Sequence, residues 1–217
     1  MKILLLGATG RTGKWVLQMA LEMGHKVTCL ARKSERIPRS DGVQVVEGNP
    51  ANATDLEKAL IGCDAVISVL NISRTSDFPW APLRTPKHYL SEVMQLLIPL
   101  AEKQGIQRIA VCSAWGVLET KADIPFWFRW FINNSNIGVA YADHERQEEL
   151  LAASPLRWTI VRPVGLSNFR KSETVRESFQ NQPRPSLMIS RKALANYLVT
   201  SLEKDPLIGK RVVVSKG

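Results

Sequence analysis

Cysteine, tyrosine and histidine occur only three times each in this chain of 217 residues. Cys29, Cys63 and Cys112 lie in or beside apolar runs with no metal-ligand spacing, so no metal centre is expected and the thiols read as buried in a reducing compartment. No apolar run approaches membrane-spanning length. The apolar start is too short for a signal peptide and turns straight into a glycine motif, which leads us to expect a soluble, cytoplasmic protein without membrane contact. No Pro/Gly/Ser-rich linker interrupts the chain, so a single domain over residues 1–217 is expected, long enough for a substantial core. Acidic residues are in deficit, 20 against 29 basic, giving a net charge of +9. The excess sits in residues 26–39 and 170–217, and neither stretch forms a basic helical stripe or alternates with aromatics, so no specific nucleic-acid partner is expected.

What is present is organised around residues 2–13, Lys-Ile-Leu-Leu-Leu-Gly-Ala-Thr-Gly-Arg-Thr-Gly. An unbroken apolar run at 3–6 predicts a parallel strand covered on both faces. It ends at Gly7, where a tight turn begins; Gly10 lets backbone approach a pyrophosphate, and Gly13 lets the next helix pack close on the strand. Gly7, Thr9, Gly10, Arg11, Thr12 and Gly13 are therefore candidate cofactor ligands, at a helix N-terminus whose free N–H groups and dipole favour phosphate. A nucleoside-triphosphate loop is disfavoured, because Gly13-Lys14 is followed by Trp15 and lacks the hydroxyl that such a loop needs for magnesium.

Along the chain, helical spacing predicts a helix over 14–23 and a strand over 26–30. The end of the second strand is where such a fold tests the adenosine ribose, an acid accepting from a 2′-OH and an arginine suiting a 2′-phosphate. Here stand Arg32, Lys33 and Arg36 with no acid at the strand end, so NADP(H) is the expected cofactor. A strand over 43–47 leads to Asn49, a candidate adenine-side contact, and a short capped helix over 54–60 follows. The strand over 65–70 brings Leu70 and Asn71 to the nicotinamide half. Residues 72–86 read as a long irregular loop over the site, 87–104 as a long helix containing Pro99, and 108–113 as a strand delivering Ser113 to the same rim. Residues 126–131, Phe-Trp-Phe-Arg-Trp-Phe, are apolar all round a helix, which allows a homodimer contact through 124–134. Trp80, Trp115 and Trp127 fall in the segments expected over the rim and are candidate stacking surfaces for a planar substrate. A helix over 143–153 capped by Asp143, a strand over 158–161, Pro163 at the cofactor rim, an irregular basic stretch over 170–185, a strand near 187–189, a helix over 191–203 and a final strand over 211–214 complete the pattern. This alternation predicts an α/β fold, a Rossmann-type doubly wound, mostly parallel sheet with helices on both faces. Its substrate region would be built from 71–86, 114–141 and 164–185.

The chain resembles the atypical short-chain dehydrogenase/reductase superfamily in its small NAD(P)H-binding branch, including flavin reductase/biliverdin-IXβ reductase and NmrA-like proteins. The resemblance rests on residues 7–13, Arg32, Gly48-Asn49, Ser113, the run 156–163 (Leu-Arg-Trp-Thr-Ile-Val-Arg-Pro), Asp143-His144 and the turn 34–38. It implies NADP(H) across the strand ends and hydride transfer to flavins, tetrapyrroles or quinones, with Ser113 and His144 as catalytic candidates. The superfamily's usual Tyr/Lys pair is absent: with His144 at the lysine position, the tyrosine position is Ala140, and Tyr141 is one residue out of register, about 100° round a helix. Two functions follow as expectations, a reductase of a planar conjugated small molecule and, alternatively, a regulator that senses the cofactor without turnover.

Overall fold

A computed structural model of the protein describes residues 1–169 and 173–217. The first strand, β1 (Lys2–Leu6), shows why the sheet is central. Its side chains alternate between two faces, and both are covered: Ile3 and Leu5 pack in one apolar cluster, Leu4 and Leu6 in another, all at most 1% exposed. Each such leucine contributes about 1.5–3 kcal/mol through burial.

The further strands are β2 (Lys26–Ala31), β3 (Val43–Glu47), β4 (Ala65–Ser68), β5 (Arg108–Cys112), β6 (Arg157–Pro163), β7 (Gly165–Ser167), β8 (Val175–Ser178), β9 (Met188–Ser190) and β10 (Lys210–Lys216). Eight of them form one sheet in the order β3-β2-β1-β4-β5-β6-β10-β8, parallel throughout except for antiparallel β8 at the edge. Strands β7 and β9 form a separate small parallel pair. The helices are α1 (Gly13–Glu22), α2 (Ala53–Leu60), α3 (Tyr89–Lys103), α4 (Phe126–Asn134), α5 (Ile137–Ala152) and α6 (Arg191–Ser201). Helices α1 and α6 lie side by side on one face, while α3 packs between α2 and α5 on the other. This is the doubly wound Rossmann-type architecture expected from the alternation. The order reverses between β1 and β4, which places a ligand crevice at their carboxyl ends. Among the described residues no helix is long and apolar enough to cross a membrane.

Three expectations are corrected. The helix expected to begin at Asp143 begins at Ile137, and Asp143 lies inside it. Its buried carboxylate instead accepts from Leu90 N at 2.6 Å and Ser91 Oγ at 2.5 Å, capping α3, whose own N-cap residue His88 makes no side-chain cap. The buried face of α5 consists of Ala140, Asp143, His144, Gln147, Glu148 and Leu151, so its helical period is carried mainly by polar groups and is invisible to a search for apolar spacing. The stretch 170–185, expected to be irregular, contains β8, an edge strand whose charged Arg176 and Glu177 hide any strand pattern; its residues 170–172 lie outside the described residues. Finally, β4 stops at Ser68 rather than residue 70, which frees Val69 to Asn71 to line the crevice.

Helix α5 is also fixed by charge. Glu148 (0% exposed) accepts from Arg162 on β6 (1% exposed) through Nε at 2.9 Å and Nη2 at 2.6 Å, and from Arg211 Nε at 3.1 Å. Glu119, in the 3-10 turn Leu118–Ala122, accepts from Arg162 Nη1 at 2.5 Å. Removing Arg162 leaves the buried Glu148 with Arg211 Nε alone to offset its charge. Arg162→Met should therefore lower the free energy of urea unfolding by about 3–5 kcal/mol, and the double variant Arg162→Met/Glu148→Met should recover most of that loss.

Candidate functional site

The glycine turn has the geometry of a phosphate cradle. Gly7 has φ +92°, and a Cβ there would approach the Val69 carbonyl oxygen to 3.0 Å. At Gly13 the requirement is stricter, since a Cβ would stand 2.0 Å from the Gly7 carbonyl oxygen. The first helical bonds run from Lys14 N to Gly10 O (3.1 Å) and from Val16 N to Thr12 O (3.0 Å). Among the described residues the N–H groups of Arg11, Thr12 and Gly13 find no acceptor, and Thr12 supplies no side-chain cap. Free amides at the positive end of a helix suit a diphosphate.

Two adjoining cavities, of about 420 and about 570 Å³, form one groove over the carboxyl ends of the strands. Arg11, Thr12, Val69, Leu70, Asn71, Arg74, Asp77, Leu166 and Arg191 line both. The smaller cavity runs from Gly7, Thr9 and Gly10 to Leu30, Ala31 and Arg32 at the end of β2, with Pro50 and Tyr89 as its far wall. Lys33 and Arg36 are exposed beside it without lining it, and Ser34 donates to Glu47 at the end of β3. Asn49 does not line the cavity. Its Oδ1 is engaged by Ala51 N (3.2 Å) and by the Tyr89 hydroxyl (3.3 Å), so it supports the wall from behind.

The larger cavity is walled by Trp115, Phe128, Ile137, Ala140, Tyr141 and Val164, with Cys112, Ser113, His144 and Pro163 also exposed to it. Trp115 is buried against the core, and its Nε1, like Ser113 Oγ, is buried with no partner among the described residues. Trp80 and Trp127 do not line either cavity. The loop over 72–86 divides: residues 71–77 face the groove, whereas Trp80 turns away, donates from Nε1 to Asn134 O at 2.7 Å and packs edge-on to Trp130 and Phe131. Trp127 is half exposed and touches Phe128. On α4 only Ile132 is buried. Tyr89 and Arg191 line the groove with no expectation from sequence, whereas Arg74 and Leu166 fall within the substrate region expected over 71–86 and 164–185. For Arg191 there was a signal, since it opens a helix capped by Ser190 directly after a strand.

Proton chemistry in this cavity is restricted. The Tyr141 hydroxyl donates to Trp115 O at 3.2 Å, and burial pushes its pKa far above the ordinary phenol range. Burial likewise pushes the Cys112 thiol up to about 12, which removes it as a nucleophile near neutrality. His144 is 4% exposed; desolvation lowers its pKa to about 4 against a weaker opposing pull from Asp143. Gln147 Nε2 lies 3.4 Å from its Nδ1. Among the described residues no group of three or more His, Cys, Asp or Glu side chains is placed to hold a metal.

Because folded His144 stays neutral to about pH 4 while the unfolded residue protonates near 6.5, the unfolded state gains protons as pH falls between those values. Stability is therefore fully retained above pH 6.5 and should fall by about 1.4 kcal/mol per pH unit below it from this residue alone. Urea unfolding between pH 7 and 4.5 should show that slope in the native protein and a correspondingly flatter one in His144→Gln.

Comparison with known proteins agrees with this geometry. The family model described as NAD(P)H-binding matches residues 7–205. Photosystem II assembly factor Ycf39 of Synechocystis sp. is 33% identical over 115 residues, 52% of this chain, but the match spans only 33% of that protein's length. A short-chain dehydrogenase/reductase of Veillonella parvula in complex with NADP superposes with a TM-score of 0.79 at 19% identity, covering 99% of this chain and 94% of that one. ChuY, an anaerobillin reductase of Escherichia coli O157:H7, superposes with a TM-score of 0.80 at 21% identity, covering 100% and 97%. With a glycine cradle, a groove at the strand reversal and a family match across nearly its whole length, the chain belongs to the NAD(P)H-binding family of Rossmann-type proteins.

Proposed function

We propose that this protein is an NADPH-dependent reductase that passes hydride to a planar, conjugated small molecule such as a flavin or quinone. The observation that carries this reading is the continuity of the groove. A phosphate cradle with an arginine at one end opens at the other into a larger cavity walled by Trp115, Phe128 and Tyr141. The NADP-bound Veillonella neighbour and ChuY, itself a reductase, support it by analogy of fold.

The residues present fit the cofactor: glycines 7, 10 and 13 leave room for a diphosphate against α1, Arg32 stands where a 2′-phosphate would be held, and Leu70, Asn71 and Pro163 border the nicotinamide side. The bound nicotinamide supplies the hydride. Ser113, with an unpartnered buried hydroxyl, positions the acceptor or the ribose. The apolar wall keeps the acceptor flat and excludes water from one face, and hydride transfer between stacked rings needs mainly that closeness. Neutral His144 has an N–H to donate and no charge to stabilise. Tyr141 is committed to a backbone carbonyl. An acceptor that takes its proton from water, as reduced flavins and quinones do, matches this poor acid chemistry better than a simple carbonyl.

The same poverty of proton donors favours a second reading, a cofactor sensor without turnover that signals through the exposed aromatic face of α4. Mixing the protein with NADPH and a panel of flavins and quinones should give loss of the nicotinamide absorbance with at least one acceptor. Tight NADPH binding with no acceptor consumed would select the sensor. Arg32→Asp should reduce the preference for NADPH over NADH about 10- to 100-fold, as expected for loss of a charge-assisted phosphate contact. An unchanged preference would remove Arg32 from the cofactor assignment.

A further inference from the structure

Where the two cavities meet, the groove is lined by three guanidinium groups and one carboxylate: Arg11, Arg74, Arg191 and Asp77. Asp77 is committed to Arg11, accepting at 2.9 and 2.8 Å in a bidentate pair that is open to solvent. The other two arginines have no such partner among the described residues. Arg191 is 8% exposed, and its Nη1 donates only to the neutral oxygens Asn168 Oδ1 (2.6 Å) and Leu166 O (3.4 Å). The Nε of Arg74 is buried with no acceptor among the described residues. Asp77 is the only acid among the described lining residues, so three guanidinium groups share one carboxylate, an imbalance that an anion arriving with the ligand would offset.

The diphosphate of the cofactor already has the free amides and dipole of α1. Arg191 lines both cavities, as does Leu166, one of its two acceptors; its other acceptor, Asn168, lines only the larger one, the cavity that Trp115 and Tyr141 also line. The rest of that cavity is mostly apolar or neutral. A flat acceptor lying on it would carry any negative substituent to Arg74 and Arg191.

We propose that Arg191, assisted by Arg74, is an anion subsite that selects acceptors bearing a carboxylate or phosphate beside their planar ring. This rests on the reductase reading above. The shared chemistry is an oxyanion matched to a planar fork of N–H donors.

The test compares acceptors that share a ring and differ in charge: FMN against riboflavin for phosphate, and a naphthoquinone with and without one ring carboxylate for the other class. With NADPH fixed, kcat/KM should favour the charged member of at least one pair about tenfold or more, and the preferred pair identifies the anion. In Arg191→Met that ratio should fall toward one, Arg191→Lys should keep part of it, and the NADPH dissociation constant should change less than twofold. Urea melts establish that the variants are folded. A ratio near one for both pairs in the native protein would overturn the proposal. So would an Arg191→Met variant that weakens NADPH binding with the ratio intact, since the arginine would then belong to the diphosphate. If no acceptor turns over, the reductase reading fails separately. Flavin fluorescence quenching in the presence of NADP⁺ then decides the subsite: preferential binding of FMN over riboflavin, lost in Arg191→Met, supports it, and equal binding overturns it.

Discussion

The contact of α1 with the Gly7 carbonyl is the constraint on which the rest of the structure depends. Two peptide backbones meet where any Cβ at position 13 would sit 2.0 Å from an oxygen, so the helix reaches the strand end only because that Cβ is missing. The closeness has a chemical consequence. Helix α1 points its unbonded amides at the mouth of the sheet, next to the place where β1 and β4 diverge. Fixed partial positive charge and an open crevice coincide there, and a diphosphate-bearing cofactor meets both.

The opposite wall of the groove is held by α5, which does two jobs on one face. Ala140, Tyr141 and His144 look into the larger cavity, while Asp143, Gln147 and Glu148 continue the same buried stripe, Asp143 and Glu148 binding the helix to its neighbours. Asp143 caps α3 and Glu148 holds Arg162. The wall is thus built from polar anchors, each satisfied by a named partner, which sets its position more narrowly than apolar packing alone. The burial that fixes it also removes its acidity: His144 is neutral and Tyr141 is tied to a carbonyl. Rigidity and poor proton donation come from the same cause.

The aromatic side chains divide in a way that composition could not show. Trp115 follows β5 and is carried inward, whereas Trp80, Trp127 and Trp130 stay on an outer layer, where Trp80 ties the loop after β4 to the end of α4. Asn136 completes that tie, donating from Nδ2 to Trp80 O and Ala81 O at 3.1 and 3.0 Å. The loop is therefore anchored at its outer turn and contributes to the groove through residues 71–77. Its arginine and aspartate join Arg11 and Arg191 as the charged groups shared by the two cavities.

Much of this was legible in the residues because it is local. The apolar run before Gly7, the glycine spacing, the basic pair after the second strand and the strand-helix alternation each depend on neighbours within a turn or two of chain. Those features determined the fold class and the cradle. The tertiary structure decided what depends on partners far apart in sequence: Asp143 serves a helix more than fifty residues earlier, Asn49 supports a wall instead of lining it, two tryptophans turn outward, and Arg191 arrives beside Arg11 because α6 packs on α1. A side chain's periodicity announces burial only when the buried face is apolar. Here the faces that shape the groove are polar, and only their partners, brought close by the sheet, give them meaning.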